Sequence, residues 1–288
     1  MRIAHAPSQL ERKPRAVAIG TFDGVHRGHL SVLQTAVDSG LEPTVITFDP
    51  HPRVAMGNRV DLITTLARRL ELLAEAGVGE TLVATFTPEF QAQEPEAFIA
   101  TYLTSLGAQA VAVGGDFRFG RKRSGGPETL EAAGLEVLEV QEVEGVSSTA
   151  IRDAVRDGDL AVAASMLGRP FELDGIVVTG DQRGGTLGYP TANIAMDPLL
   201  LCPRYGIYAG SALGHRAAIS IGTNPHYGGT ERRIEPFLLD FEGDLYGKRL
   251  VVELWERLRD EAAFGSEEEL VAQIARDVEA TRTARRPV

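Results

Sequence analysis

The feature that most constrains this chain is a change of texture near residue 169. Up to that point short apolar runs take turns with amphipathic stretches; beyond Gly168-Arg169-Pro170 one short alternating run follows another. Strand–helix alternation builds a parallel sheet covered by helices, whereas a succession of strands and tight turns builds an antiparallel barrel or sandwich. The chain is therefore expected to be two domains, residues 1–168 and 169–288, a division that suits 288 residues.

In the first part, Ala16-Val17-Ala18-Ile19-Gly20 reads as a buried strand ending at a turn. His29 to Ser39 follows with Leu30, Leu33 and Val37 on one helical face, and Gly40 stands where a C-cap glycine belongs. The pattern then predicts strands at 44–48, 81–86, 110–114 and 135–140, with helices at 66–76 and 95–106 between them. In such a fold ligands sit at the carboxyl ends of the strands, where Gly20, Asp49 and Gly114 fall. Residues 148–167 read as a helix in two pieces split at Gly158. In the second part, strands are expected at 171–179, 206–213, 217–222, 233–241 and 249–258, and Ser266-Glu267-Glu268-Glu269 is a capping box that opens a last helix.

Composition removes whole classes of partner. A net charge of −11 disfavours a nucleic-acid backbone, because the overall field repels phosphate. No window approaches 18 uninterrupted apolar residues, so no membrane span is expected. Met1 to Pro14 contains no apolar signal region, and a single cysteine, Cys202, excludes an intrachain disulfide; a cytoplasmic location is the expectation.

Gly20-Thr21-Phe22-Asp23-Gly24-Val25-His26-Arg27-Gly28-His29 joins the first strand to the first helix. Free N–H groups and the dipole at a helix start attract anions, Gly28 permits close backbone approach, and imidazoles donate hydrogen bonds. Taken alone, two histidines in a turn fit an ordinary structured loop better than a site. Gly115 to Lys122 is similar to a phosphate-binding Walker A loop, but Gly120 is followed by Arg121-Lys122 and not by Lys and a hydroxyl residue, so that reading is rejected.

The run from Gly20 to His29 resembles the extended HxGH signature of flavin adenylyltransferase modules of the nucleotidylyltransferases. Three more segments match that family in order: Thr47-Phe48-Asp49-Pro50-His51-Pro52, Val113 to Gly120, and Val146-Ser147-Ser148-Thr149-Ala150-Ile151-Arg152. The resemblance implies a Rossmann-like domain that binds ATP through Gly20, Phe22, Asp23, His26, Gly28 and His29, with Ser148, Thr149 and Arg152 closing on the phosphates. It places Phe48, His51, Asp116, Phe117 and Phe119 around the flavin and the nucleotide.

The second domain carries Gly180-Asp181-Gln182-Arg183-Gly184-Gly185-Thr186-Leu187-Gly188-Tyr189-Pro190-Thr191-Ala192-Asn193. Glycines let a backbone wrap phosphate, and Thr191 and Asn193, two apart on a strand, point to one face. A hydroxyl and an amide oxygen are hard donors suited to Mg²⁺. Glu235 begins the run Glu235-Pro236-Phe237-Leu238-Leu239-Asp240-Phe241, sharing a face by alternation with Phe237, Leu239 and Phe241. A carboxylate at the end of an apolar stripe is expected to have a raised pKa, as suits a general base. Without context, a barrel-rim loop and a solvated rim glutamate fit these residues better.

Leu187 to Asn193, Ile221-Gly222-Thr223-Asn224-Pro225, Glu235 with its following Leu-Asp-Phe, and Asp244-Leu245-Tyr246-Gly247-Lys248 are similar, in order, to the riboflavin kinase family. Tyr189 and His226-Tyr227 stand where Phe and Thr-Phe are commoner. The resemblance implies an antiparallel barrel with ATP held by Gly180, Arg183, Gly188, Thr191 and Asn193, Mg²⁺ on Thr191 and Asn193, and Glu235 as base toward the ribityl hydroxyl. Together the two resemblances imply the bacterial bifunctional riboflavin kinase and FAD synthetase family: riboflavin and ATP give FMN and ADP, and FMN with a second ATP gives FAD and pyrophosphate. The alternatives are an enzyme that keeps one of the two activities, or a flavin-binding regulator without turnover.

Overall fold

The computed structural model describes residues 1–180, 183–223 and 232–288. Asp181-Gln182, Asn224-Pro225 and His226-Tyr227 of the expected motifs lie outside the described residues, as does the side chain of Arg183. Packing divides the chain into two units: residues 1–60 with 66–146, and residues 61–65 with 147–288.

The first unit holds a sheet of β1 (Arg2–Ala4), β2 (Arg15–Ile19), β3 (Glu42–Asp49), β4 (Glu80–Thr85), β5 (Ala108–Gly114) and β6 (Glu136–Val140). Every pairing is parallel, and the order is β1-β4-β3-β2-β5-β6. Its helices are α1 (Arg27–Asp38), α2 (Pro52–Ala55), α3 (Leu66–Glu75), α4 (Pro88–Gln91), α5 (Pro95–Phe98) and α6 (Pro127–Ala132). The helix expected at 95–106 is α5 continued by a π turn, Ile99–Thr104.

Alternation along the central strands sorts their side chains onto two cores. Ala16, Ala18, Ala110 and Ala112 face Leu33 of α1 and Leu72 and Leu73 of α3, and small residues there let the helices lie close to the sheet. Val17, Ile19, Val111 and Val113 face the other way, against Phe98, Leu103 and Leu130. Both faces are covered, which is why the strands read as continuous apolar runs. The chain builds outward from β2 through β3 to β4, then crosses to put β5 on the other side of β2. That reversal opens a crevice at the carboxyl ends of β2 and β5, the place where such sheets bind ligands.

The second unit begins with α7 (Ser148–Asp157) and α8 (Leu160–Leu167), split at left-handed Gly158 (φ 83°) as the sequence predicts. Its strands are β7 (Phe171–Val178), β8 (Asn193–Met196), β9 (Gly206–Ala212), β10 (His215–Thr223), β11 (Arg232–Leu238) and β12 (Arg249–Arg259), with α9 (Arg183–Thr186) before β8 and α10 (Glu267–Thr283) last. The order β11-β10-β9-β12-β7-β8 is antiparallel throughout. The two edges meet where the Ala192 N–H donates to the Pro236 carbonyl at 2.9 Å, so the sheet is a nearly closed barrel.

Leu173, Val177, Tyr208, Ile219, Ile221, Ile234 and Val252 are buried within the barrel sheet. Outside it, α10 covers Ala209 and Trp255, and Arg216 lies 5.2 Å from the Trp255 ring while donating to the Thr281 and Ala284 carbonyls. Ser266 caps α10 as expected by accepting the Glu269 N–H, but the Glu269 carboxylate accepts the N–H of Gly265, one residue before the cap, and not that of Ser266 as a capping box would. Asp61–Thr65 had no signal in the sequence. Leu62 exchanges backbone bonds with Leu199 and Leu201, and Thr65 donates to Asp174, so this short segment packs with the second unit. Among the described residues no helix is long and apolar enough to cross a membrane.

Candidate functional site

The crevice of the first unit is built from the loop after β2. Gly20, whose N–H reaches the Ile46 carbonyl at 3.1 Å, is followed by backbone in the left-handed region at Phe22 (φ 49°), Gly24 (φ 84°) and Val25 (φ 38°). Phe22, Asp23 and Val25 are buried there. His26 is the N-cap of α1, its Nδ1 accepting the His29 N–H at 3.2 Å. The two imidazoles stack, and the Phe22 ring meets His29 edge-on at 5.2 Å. A Cβ on Gly28 would come within 3.2 Å of the His26 ring, so glycine makes room for that imidazole. Burial above all, helped by His26 and Arg69, holds the His29 pKa well below the ordinary value, and its buried Nδ1 has no hydrogen-bond partner. The arrangement offers neutral N–H donors at a helix N-terminus, suited to phosphate oxygens.

Around the same end of the sheet lies an aromatic cluster. Phe48 at the end of β3 touches Phe86 and Phe90 edge-on, Phe90 continues to Phe98 and Tyr102, and Phe119 packs on Phe98 with Phe117 stacked on it at 5.5 Å. The structure thus brings Phe48, Phe117 and Phe119 into one apolar assembly, with Phe119 in the core and Phe117 half-buried. Phe86 and Phe90 were not anticipated. His51 caps α2 by accepting the Arg53 N–H at 3.1 Å, and Asp116 is exposed. Sequence reading also missed Arg69 of α3, whose guanidinium donates to the Thr21 carbonyl at 2.6 Å.

Ser148, Thr149 and Arg152 are described within the second unit, on α7 behind the Ser147 N-cap. Arg152 is buried and donates through Nε to the Asp61 carbonyl at 2.7 Å.

In the barrel, the glycine-rich loop wraps the two expected metal ligands. A Cβ on Gly180 would stand 2.2 Å from Asn193 Nδ2, and one on Gly184 would stand 2.3 Å from the Tyr189 carbonyl and 3.3 Å from Thr191 Oγ1. Only glycine admits this approach. Gly188 (φ 84°) completes the turn, and Tyr189 meets Phe237 edge-on at 5.4 Å. Thr191 precedes β8 and Asn193 opens it, so the strand expected to carry both begins at the second. The Ala192–Pro236 bond lays this segment beside β11, next to Glu235. Among the described residues no group of three His, Cys, Asp or Glu could hold a metal. A hydroxyl and an amide oxygen fit a hard cation that takes its remaining ligands from phosphates and water.

The expected surroundings of Glu235 need correction. The deeply buried face of β11 is Ile234, Pro236 and Leu238, and the strand ends before Leu239, with Asp240 at φ 55°. Glu235 alternates to the other face opposite Ser220, its side chain 30% exposed and 3.7 Å from Arg233. It therefore does not end a buried stripe. A second carboxylate lies near: Glu261 sits against Gly222, where a Cβ would be 1.8 Å from it, and burial raises its pKa despite Arg259.

A model of the FAD synthetase family matches residues 8–152, and a model of the riboflavin kinase family matches residues 167–285. The bifunctional riboflavin kinase/FMN adenylyltransferase of Listeria monocytogenes is 36% identical over 287 residues, 93% of this chain and 91% of the relative. The protein of that name from Escherichia coli is 39% identical over 297 residues, 96% of this chain and 95% of the relative. A crystal structure under the name macrolide-efflux protein, from Streptococcus pneumoniae, superposes with a TM-score of 0.87 at 32% identity, covering 98% of this chain and 99% of that one.

Proposed function

The chain belongs to the bifunctional riboflavin kinase/FMN adenylyltransferase family, and from that premise we propose how its residues divide the work. It makes flavin cofactors: ATP phosphorylates riboflavin to FMN, and a second ATP adenylylates FMN to FAD. The observation that carries the residue assignment is the pairing of Thr191 and Asn193 with a glycine loop next to Glu235 in one unit, and the stacked His26–His29 pair at the sheet crevice in the other.

In the kinase reaction the glycine loop, with Gly180, Gly188 and Arg183, cradles the ATP phosphates. Thr191 and Asn193 hold Mg²⁺, which when bound neutralises phosphate charge. Glu235 accepts the proton of the ribityl 5′-hydroxyl as that oxygen attacks the γ-phosphorus. Exposure of Glu235 to solvent gives the proton a way out. Positioning carries most of the rate, since there is little covalent chemistry for the protein to perform.

In the adenylyl transfer an FMN phosphate oxygen attacks the α-phosphorus of ATP and pyrophosphate leaves. FMN phosphate is already an anion, so no strong base is needed. His26 and His29 donate to phosphate oxygens as charge gathers on them, with Gly20, Phe22, Asp23 and Gly28 shaping the loop. Ser148, Thr149 and Arg152 are the further phosphate ligands that the resemblance implies. Phe48, Phe117 and Phe119 offer apolar surface to the isoalloxazine, and His51 and Asp116 polar contacts beside it. We place the enzyme in the cytoplasm, which suits a chain whose one cysteine is the free Cys202.

Product analysis of the wild-type chain with riboflavin and Mg²⁺–ATP tests the reading. FMN is expected first and FAD after it, with ADP and pyrophosphate released. A chain that binds flavin without consuming ATP would overturn it.

A further inference from the structure

We infer that Arg69 is a positioning residue for adenylyl transfer, its guanidinium clamping the Thr21–His29 loop to the tip of β3. The inference rests on the assignment of His26 and His29 to the ATP phosphates.

Arg69 belongs to α3, which otherwise buries leucines against the sheet. Its residue is only 4% exposed, and among the described residues it makes no direct ion pair. Burying a guanidinium is expensive, and although the charges of Asp23 and Asp49 favour it, its N–H groups need acceptors. Here they are oxygens of the loop and of β3. Nη1 donates to the Thr21 carbonyl at 2.6 Å, and at 3.3 Å to both Thr47 Oγ1 and the Phe48 carbonyl. Thr47 Oγ1 donates in turn to the Thr21 carbonyl at 3.1 Å. The Thr21 oxygen is thus gripped twice.

Strain in the backbone just beyond Thr21 explains the need for a grip. Phe22 and Val25 have positive φ without being glycine, and Val25 is β-branched, which makes it a genuine outlier. Such backbone persists only where its surroundings over-determine it. The Val25 N–H to Phe22 carbonyl bond and burial of both side chains hold the loop from within, while Arg69 anchors its entry. The same loop ends at the His26 cap, so a shift at Thr21 moves both imidazoles.

The charge has a second effect. Around His29 stand His26, Phe22 and Arg69, and the carboxylates of Asp23 and Asp49 act on Arg69. After burial and His26, Arg69 is the remaining influence that disfavours protonated His29. The guanidinium Nε is buried and unpartnered, as is His29 Nδ1, so this side of the crevice holds donor capacity that the protein itself does not consume.

The test uses Arg69→Gln and Arg69→Lys in the full chain, with FAD formation from FMN, FMN formation from riboflavin, and the imidazole titration of His29 by NMR measured on each. Gln keeps a donor but no charge; Lys keeps the charge but loses the planar fork. For Arg69→Gln, kcat of FAD formation is expected to fall on the order of 100-fold, the scale of an ångström of misplacement, with FMN formation within about twofold of wild type. The His29 pKa should rise in Arg69→Gln and stay near wild type in Arg69→Lys, whose kcat should be intermediate. Wild-type FAD formation by Arg69→Gln would overturn the role. So would a parallel loss of both activities in both variants, the mark of a packing residue alone. If the wild-type chain makes FMN but no FAD, the assignment of the histidines fails instead, and an unmoved His29 titration in Arg69→Gln would overturn the electrostatic part independently.

Discussion

The imidazoles of His26 and His29 stack with ring centroids 3.6 Å apart and planes 16° from parallel, while His26 Nδ1 accepts the His29 N–H. With Nδ1 accepting, the proton of a neutral His26 sits on Nε2. Two rings this close disfavour double protonation, and burial keeps His29 neutral as well. His29 is thus a neutral donor at the start of α1, and the stacked pair does not carry two charges.

Replacing either ring should stop the pathway at FMN. His29→Ala is expected to lower FAD formation about 100- to 1,000-fold, the usual loss for a donor to a charge-gathering oxygen, and to leave FMN formation intact. His26→Ala also removes a helix cap worth about 1 kcal/mol, so His26→Asn, which keeps a capping oxygen, separates chemistry from stability. Chromatographic separation of FMN and FAD over time reads both. FAD formation at the wild-type rate by His26→Asn would show that the ring serves only as a cap.

Glu235→Gln should do the reverse. Riboflavin phosphorylation is expected to fall by about 100- to 10,000-fold, as for loss of a positioned base, while supplied FMN still becomes FAD. Chelation of Mg²⁺ should abolish phosphorylation, and Thr191→Ala should raise the Mg²⁺ concentration at half-maximal rate. A Glu235→Gln chain with unchanged kcat would move the base elsewhere, with Glu261 as the neighbouring carboxylate to test.

The glycine loop provides a graded series. Gly184→Ala drives a methyl to 2.3 Å from the Tyr189 carbonyl, and Gly180→Ala drives one to 2.2 Å from Asn193 Nδ2. Backbone cannot step aside as a side chain can, so both variants should lose kinase rate and Gly184→Ala should lose more. Gly185→Ala meets nothing within 4 Å and is the control. Equal KM for ATP in all three would separate the loop from nucleotide binding.

Acid should unfold the first unit through Glu80. Burial pushes its pKa up, but hydrogen bonds from Arg15 and Lys13 and their charges outweigh this and leave it below the ordinary 4.5. A carboxyl depressed by folding stabilises above its unfolded pKa, and that stability is lost as pH falls through the lower folded value. Arg15 is fully buried with Nη2 2.7 Å from Glu80, so Arg15→Met leaves a buried carboxylate with Lys13 alone and should cost about 3–5 kcal/mol at neutral pH. The deficit should shrink as pH falls below the ordinary carboxylate range and through the depressed folded value of Glu80, where the wild-type carboxyl takes up its proton. Thermal melts of both chains across pH 3 to 8 check the sign.

Much of the site could be read from residue order because its parts are local. The Gly20–His29 run between β2 and α1 and the Ser266 cap each sit within one turn and its flanking element, where the pattern put them, whereas the strand expected to carry both Thr191 and Asn193 begins only at Asn193. Arg69 and Glu261 escaped notice because each looks like an ordinary surface charge. Arg68, next to Arg69 on the same helix, turns instead to the more exposed Glu71 and Glu75 and pairs with both. Only the helix's rotation against the sheet decides which arginine goes in. Glu235 shows the same limit: alternation assigned it neighbours up to Phe241, but the strand stops at Leu238.

The sequence by itself determined the two architectures and most of their longer strands and helices, since periodicity, caps and glycines act over a few residues; the edge strand β1 and the short helices α2, α4, α6 and α9 gave no such signal. Tertiary structure decided which strand lies beside which, which face of β11 is buried, that Asp61–Thr65 packs with the second unit, and that β1 pairs with β4 across the intervening strands and helices. Those outcomes depend on burial shared among distant segments, and no short stretch of chain carries that information alone.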